Sequence, residues 1–224
     1  MPQIVIQNIT KTYTIGSERI DAVLDASLEI EKGDFLSIVG HSGSGKTTLL
    51  SLIGGITRPS SGSVFFDGMD IQTLGSDPLS DYRCEKIGFM FQFASLLPML
   101  TVKENLLLPT AFRSRRSEAE ATKAEELLSL VGLVEKSNAY PPQLSGGQQR
   151  RVAIARAFMN SPEIILADEP TGDLDEDTEL AMMDFFRMMN RTEHITFVMV
   201  THNTDLARRT QRQFRMSHGV IQRQ

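Results

Sequence analysis

The octet Gly40-His41-Ser42-Gly43-Ser44-Gly45-Lys46-Thr47 constrains the chain most, because of what flanks it. Residues 34–39 before it form a short apolar run suited to a buried strand, and residues 46–53 after it have helix-forming composition. A strand that turns through glycines directly into a helix is the first half of a strand–helix–strand unit, so the spacing predicts a parallel sheet covered by helices. The octet also fits the pattern G-x-x-x-x-G-K-[ST]. Its glycines let successive backbone N–H groups curl around a triphosphate, the positive end of the helix adds attraction, and Lys46 neutralises the outer phosphates. Gly40 through Thr47, with Thr48, are therefore read as an ATP-binding loop whose Thr47 hydroxyl ligates Mg2+.

Other strand ends supply the remaining chemistry. Ile164-Ile165-Leu166-Ala167 is an apolar run closed by Asp168-Glu169. In a parallel sheet Asp168 then lies beside the loop, where it can hold Mg2+ through water, and Glu169 faces the outer phosphate, where a carboxylate can take a proton from the attacking water. His202 ends the apolar run 195–201 and Gln92 follows the run 87–91; both are read as polar groups within reach of the outer phosphate, Gln92 also of the metal. Leu144-Ser145-Gly146-Gly147-Gln148 opens a helix, with Ser145 suited to cap it and the glycine pair leaving N–H groups uncovered for an anion.

Between these motifs the pattern predicts strands at 4–6, 26–30, 62–68, 87–91, 163–167 and 195–201, and helices at 102–108, 117–131, 148–159 and 176–189. Met182, Phe185, Phe186 and Met189 share one face of the last helix and read as core. The chain is read as one domain over 1–224, with a nucleotide-binding α/β core from 1–92 and 160–224 and a helical lobe at 93–159.

Composition narrows the setting. No apolar run approaches the roughly 18 to 20 residues of a membrane-spanning helix, and the N-terminal residues lack a secretory pattern, so a cytoplasmic location is expected. Cys84 is the single cysteine, which excludes an internal disulfide. A net charge of −5 argues against nucleic acid as a partner. The arginines of 113–116 and 208–215 read as solvated helix faces.

The ordered set of motifs resembles the ABC transporter ATPase family from Tyr13 to His202, and residues 91–98 and 167–172 look most like its lipoprotein-release, macrolide-export and cell-division branch. The resemblance implies an α/β P-loop NTPase (RecA-like) core with an N-terminal antiparallel β subdomain and an inserted α-helical subdomain. It places Gln92 in the Q-loop, Leu144 to Gln148 in the signature that acts in trans, Asp175 in the D-loop at 172–175, His202 as the switch histidine and Tyr13 against the adenine. It also implies ATP and Mg2+ as ligands, a homodimer or pseudo-dimer of cassettes around two nucleotides, and a separate permease at the cytoplasmic face of the inner membrane. Asp173 and Asn203 depart from the residues most frequent at their positions. The competing reading is a soluble ABC ATPase of DNA repair, chromosome organisation or translation, for which a coiled-coil insertion, tandem cassettes or a basic surface would be expected.

Overall fold

The structure, a computed structural model, describes residues 2–113, 119–172 and 174–223. Its strands are β1 (Ile4–Ile15), β2 (Glu18–Ile30), β3 (Phe35–Val39), β4 (Ser61–Phe66), β5 (Met69–Asp70), β6 (Ile87–Met90), β7 (Ile164–Asp168), β8 (Thr196–Thr201), β9 (Arg212–Ser217) and β10 (Val220–Arg223). Its α-helices are α1 (Lys46–Ile53), α2 (Ser76–Asp81), α3 (Val102–Leu107), α4 (Glu120–Leu130), α5 (Gly146–Ala157), α6 (Glu176–Thr192) and α7 (Thr204–Ala207).

Two sheets result. An antiparallel sheet has the order β2-β1-β4-β5, and the larger one has the order β10-β9-β3-β8-β7-β6, parallel except where β10 runs against β9. Every residue of β3, β7 and β8 is buried, which is why these segments read as continuous apolar runs. Because successive side chains point to opposite faces, each central strand feeds two cores. Ile164, Leu166, Val198 and Val200 pack with α1 and the antiparallel sheet. Ile165, Ala167, Phe197 and Met199 pack with α6 on the other face, in a cluster that includes Val102 and Leu106 of α3, Leu127 of α4 and Val152 of α5. Phe197 lies at the centre of this second core, with Phe35, Phe158 and Phe186 rings 5.1 to 6.2 Å away. Among the described residues no strand lies between β6 and β7, and the helices there bury their apolar faces against the sheet's core.

Several expectations need correction. β1 and β2 run well past 4–6 and 26–30, as a long hairpin whose turn contains Gly16. α5 begins at Gly146, since Ser145 caps it through its own hydroxyl, and Gln148 is its third residue. Residues 208–215 are not a helix face: α7 ends at Ala207 and β9 begins at Arg212, whose guanidinium pairs with Asp34. A strand with polar residues on its outer face lacks the unbroken apolar run that revealed β3, β7 and β8. Residues 114–116 of the other basic stretch, 117–118 of the helix expected at 117–131, and Asp173 lie outside the described residues.

Candidate nucleotide site

β8 lies between β3 and β7, so three carboxyl ends converge: Val39 leading into the glycine loop, Asp168 and Thr201. They border a cavity of about 560 Å³ lined by His41 to Thr48, Gln92, Asp168, Glu169 and His202, with Ile20, Asp21 and Ala22 on its far wall. The loop's conformation depends on glycine at two close approaches. Gly45 has φ +104°, and a Cβ there would lie 2.0 Å from the Ala22 carbonyl oxygen. At Gly40 it would lie 2.3 Å from the carbonyl oxygen of Met216 on β9. Two neighbouring strands therefore press the loop into place.

Lys46 is 7% exposed and donates to the carbonyls of Gly40 at 2.7 Å and His41 at 2.9 Å. Burial lowers its pKa, while the carboxylates of Glu169 and Asp168 oppose that shift. The Thr47 hydroxyl donates to Asp168 Oδ2 at 2.7 Å. Burial raises the Asp168 pKa, and the Thr47 hydrogen bond works against it. The residues fit Mg2+: a hydroxyl and a carboxylate converge as hard oxygen donors, with Gln92 on the same cavity. The Ser44 hydroxyl is buried in the cradle without a hydrogen-bond partner among the described residues, as expected of a loop shaped for an outside ligand.

Glu169 is fixed from three directions. Its backbone N–H donates to Val200 O at 2.9 Å, and its φ of +45° is left-handed for a residue with a side chain. Its Oε2 accepts from Thr201 Oγ1 at 2.9 Å, and its Oε1 accepts from His202 N and lies against His202 Nδ1, both at 2.7 Å. The glutamate is 15% exposed and the imidazole 73%, so the histidine reaches over the carboxylate from the solvent side. A carboxylate held by two donors and open to a phosphate cavity can orient water and accept its proton.

Gln92, His202, Asp168, Glu169 and the glycine loop are thus brought together, whereas the other candidates lie elsewhere. None of Leu144 to Gln148 lines this cavity. Ser145 and Gly146 are exposed at the start of α5, where Ser145 Oγ accepts from Gln148 N at 3.2 Å. Asp175 caps α6, accepting from Thr178 N at 3.0 Å. Tyr13 is 40% exposed with Lys11 Nζ 5.0 Å from its ring; it pairs across the hairpin with Ile20, which does line the cavity. Two residues were passed over. Thr201 resembled an ordinary β-branched strand residue. Arg150 is 2% exposed and binds backbone carbonyls around Gln92 and Glu169; its position, on the helix face of the buried Ala153 and Ile154, was the available signal.

A cradle of turned-in amides around a buried lysine, with a Thr–Asp pair set for a divalent cation, has one natural occupant, a nucleoside triphosphate. The chain is a P-loop nucleotide-binding protein of the α/β class. More narrowly, the ABC transporter family model matches residues 23–172, more than half of the sequence, and the chain belongs to that family. It is 44% identical, over 99% of its length and 96% of the relative's, to the uncharacterized ABC transporter ATP-binding protein MJ0796 of Methanocaldococcus jannaschii. It is also 41% identical to the macrolide export ATP-binding/permease protein MacB of Syntrophobacter fumaroxidans, covering 99% of this chain but 31% of that one, in agreement with the branch suggested by residues 91–98. Among solved structures, a dimeric post-hydrolysis state of the cassette MJ0796 bound to ADP and Pi superposes with a TM-score of 0.93 at 42% identity, covering 98% of this chain and 97% of that one. A second dimeric MJ0796 structure gives the same score at 43% identity, with the same coverage.

Proposed function

We propose that this chain is the ATP-binding and ATP-hydrolysing subunit of an ABC transporter or mechanotransmitting membrane complex, and that two cassettes close head to tail around two MgATP to drive a separate permease. The observation that carries this reading is the Glu169 carboxylate, held by Thr201 and His202 on the cavity that Lys46 and the glycine loop enclose. Lys46 releases its two loop carbonyls to take the outer phosphates. Thr47, Asp168 and Gln92 would hold a divalent cation, which would supply charge neutralisation to the phosphates. Glu169 receives the proton of the attacking water, and His202 keeps the carboxylate aimed. Leu144 to Gln148, outside the lining of this cavity and with Ser145 and Gly146 exposed, serve the nucleotide of the opposite cassette. Asp175, the cap of α6, is assigned to the contact between cassettes, and Tyr13 with Ile20 to the face of the base. The helical lobe at 93–159 acts as the moving part.

Among the described residues no helix is long and apolar enough to cross a membrane. Family membership supports assigning the membrane-spanning part to a permease partner, with the cassette docked on it at the cytoplasmic face. Its docking surface is the apolar patch beside Gln92. Phe91, Phe93, Met99 and Phe112 are 47%, 74%, 72% and 70% exposed, and a groove of about 330 Å³ lies between Phe89, Phe91 and Phe112. Leu97 joins this exposed set, whereas Leu96 packs against the core.

The deciding experiment is size-exclusion chromatography of Glu169→Gln with ATP, alongside wild-type phosphate release. Turnover in the wild type and an ATP-dependent dimer in the variant are expected. A variant that stays monomeric with saturating MgATP would remove the two-cassette reading, and a wild type without ATP turnover would remove the enzymatic one.

A further inference from the structure

Helix α5 starts in solvent, and its second turn is buried beneath the candidate site. Five residues after Ser145, the Arg150 side chain is buried against the carboxyl ends of β6 and β7. Its guanidinium reaches two segments that carry catalytic groups. Nη1 donates to the carbonyls of Phe91 and of Gln92, the latter at 2.6 Å. Nε donates to the Pro170 carbonyl at 2.8 Å, and Nη2 donates to the carbonyl of Glu169 and, at 3.5 Å, to that of Asp168. Two helical turns further on, Arg156 grips the same loop from below, donating to the carbonyls of Ser95 and Ala94, each at 3.0 Å.

All of these acceptors are main-chain atoms. Side-chain contacts can slide as rotamers change, but a bond to a carbonyl ties the position of the backbone itself. The planar guanidinium, with five donors in a rigid fork, can hold the segments that follow the neighbouring strands β6 and β7 at once; a lysine ammonium offers three donors at one point. The carbonyl that it takes from Glu169 belongs to the residue held at φ +45°, whose side-chain direction depends on that backbone conformation.

We propose that Arg150 is a positioning residue that couples the two nucleotide sites. When the Ser145 end of α5 closes on the phosphates of the opposite cassette, the helix moves as a rod. Arg150 then carries that displacement into the backbone of Gln92 and Glu169 in its own site. The backbone that carries Glu169 and Gln92 thereby registers whether the neighbouring nucleotide is engaged. The inference rests on the head-to-tail pairing proposed above, and the tests of the two are separable.

The test is Arg150→Met and Arg150→Lys in the full chain, measured for MgATP affinity as monomers, for turnover against ATP concentration, and for ATP-driven dimerisation in the Glu169→Gln background. For Arg150→Met, monomer affinity should stay close to wild type while kcat falls about 10- to 100-fold, the usual cost of removing a group that orients a catalytic one. The Hill coefficient should fall towards one, because the coupling between sites is lost. Dimerisation in the Glu169→Gln background should persist. Arg150→Lys keeps the charge without the fork and should recover only part of the turnover; it also serves if the methionine variant fails to fold. Wild-type kcat and Hill coefficient in either variant would overturn the proposal, as would a loss of turnover matched by equal losses of affinity and melting temperature. If Glu169→Gln alone does not dimerise, the pairing itself is what failed.

Discussion

The glycine loop and the start of α5, the two segments proposed to face phosphate, are built on opposite principles. Around the glycine loop the functional groups, the buried Ser44 hydroxyl excepted, are tied down within the chain: Lys46 to loop carbonyls, Thr47 to Asp168, Glu169 to Thr201 and His202. At the start of α5 Ser145 and Gln148 bond each other and Gln149 holds the Leu144 carbonyl, but a Cβ added to Gly146 would meet nothing within 4 Å. The first end holds buried polar groups, which would be costly without partners, so the fold supplies them. The second is an exposed, capped helix start with spare amide donors, which gains its partner only from another molecule. On the proposed reading the first end binds nucleotide by itself, and the second acts only in an assembly.

Substitutions at the two ends should accordingly fail in different ways. The largest effect is expected for Glu169→Gln, which should slow hydrolysis by about 10² to 10⁴ with ATP binding kept; phosphate release under saturating ATP measures it, and turnover near wild type would remove Glu169 from the base role. His202→Ala should follow it in kcat, since the Nδ1 contact that aims the carboxylate is lost; unchanged turnover would leave the exposed imidazole without a catalytic part. Lys46→Ala should weaken MgATP binding by about 10- to 100-fold, the worth of charge-assisted hydrogen bonds to phosphate, with the amide cradle intact. Titration with labelled nucleotide checks it, and unchanged affinity would break the loop assignment.

Ser145→Arg should sharpen the contrast. Monomer affinity for nucleotide should remain within about 2-fold, as for surface changes away from a site, yet the ATP-dependent dimer of the Glu169→Gln background should disappear. A normal dimer would mean that this helix start faces no phosphate. The smallest effect on the isolated chain is expected for Phe93→Asp at the exposed patch. ATPase activity should change by less than about 2-fold, while copurification with the permease and transport in the complex are lost. Crosslinks from 93–100 that never reach a membrane subunit would displace the docking site.

The glycine loop and the Asp168-Glu169 strand end were legible because each couples a short motif to a run of uniform burial, and the helix opened by Ser145 because a capping serine precedes it. β3 and β7 lie in the middle of a sheet covered on both faces, so nearly every residue had to be apolar. β9 and β10 were not legible because they carry exposed polar residues on the sheet's edge side, and the arginines there looked like a solvated helix. The ends of the long β1–β2 hairpin were lost for the same reason, since only part of its alternation is buried.

By itself, then, the sequence determined which groups could do chemistry: a lysine after a glycine turn, paired carboxylates after an apolar strand, a histidine and a glutamine after two others. These are local facts, set by chain connectivity and by the period of burial. Only the tertiary structure decided which of them meet. Inserting β8 between β3 and β7 brings Thr201 and His202 onto the Glu169 carboxylate, across more than thirty residues of intervening sequence. Burying Arg150 joins the start of α5 to both catalytic loops. Strand order and the satisfaction of a buried cation are long-range properties; they follow from how two apolar faces of one sheet are covered, and no short stretch of sequence records them.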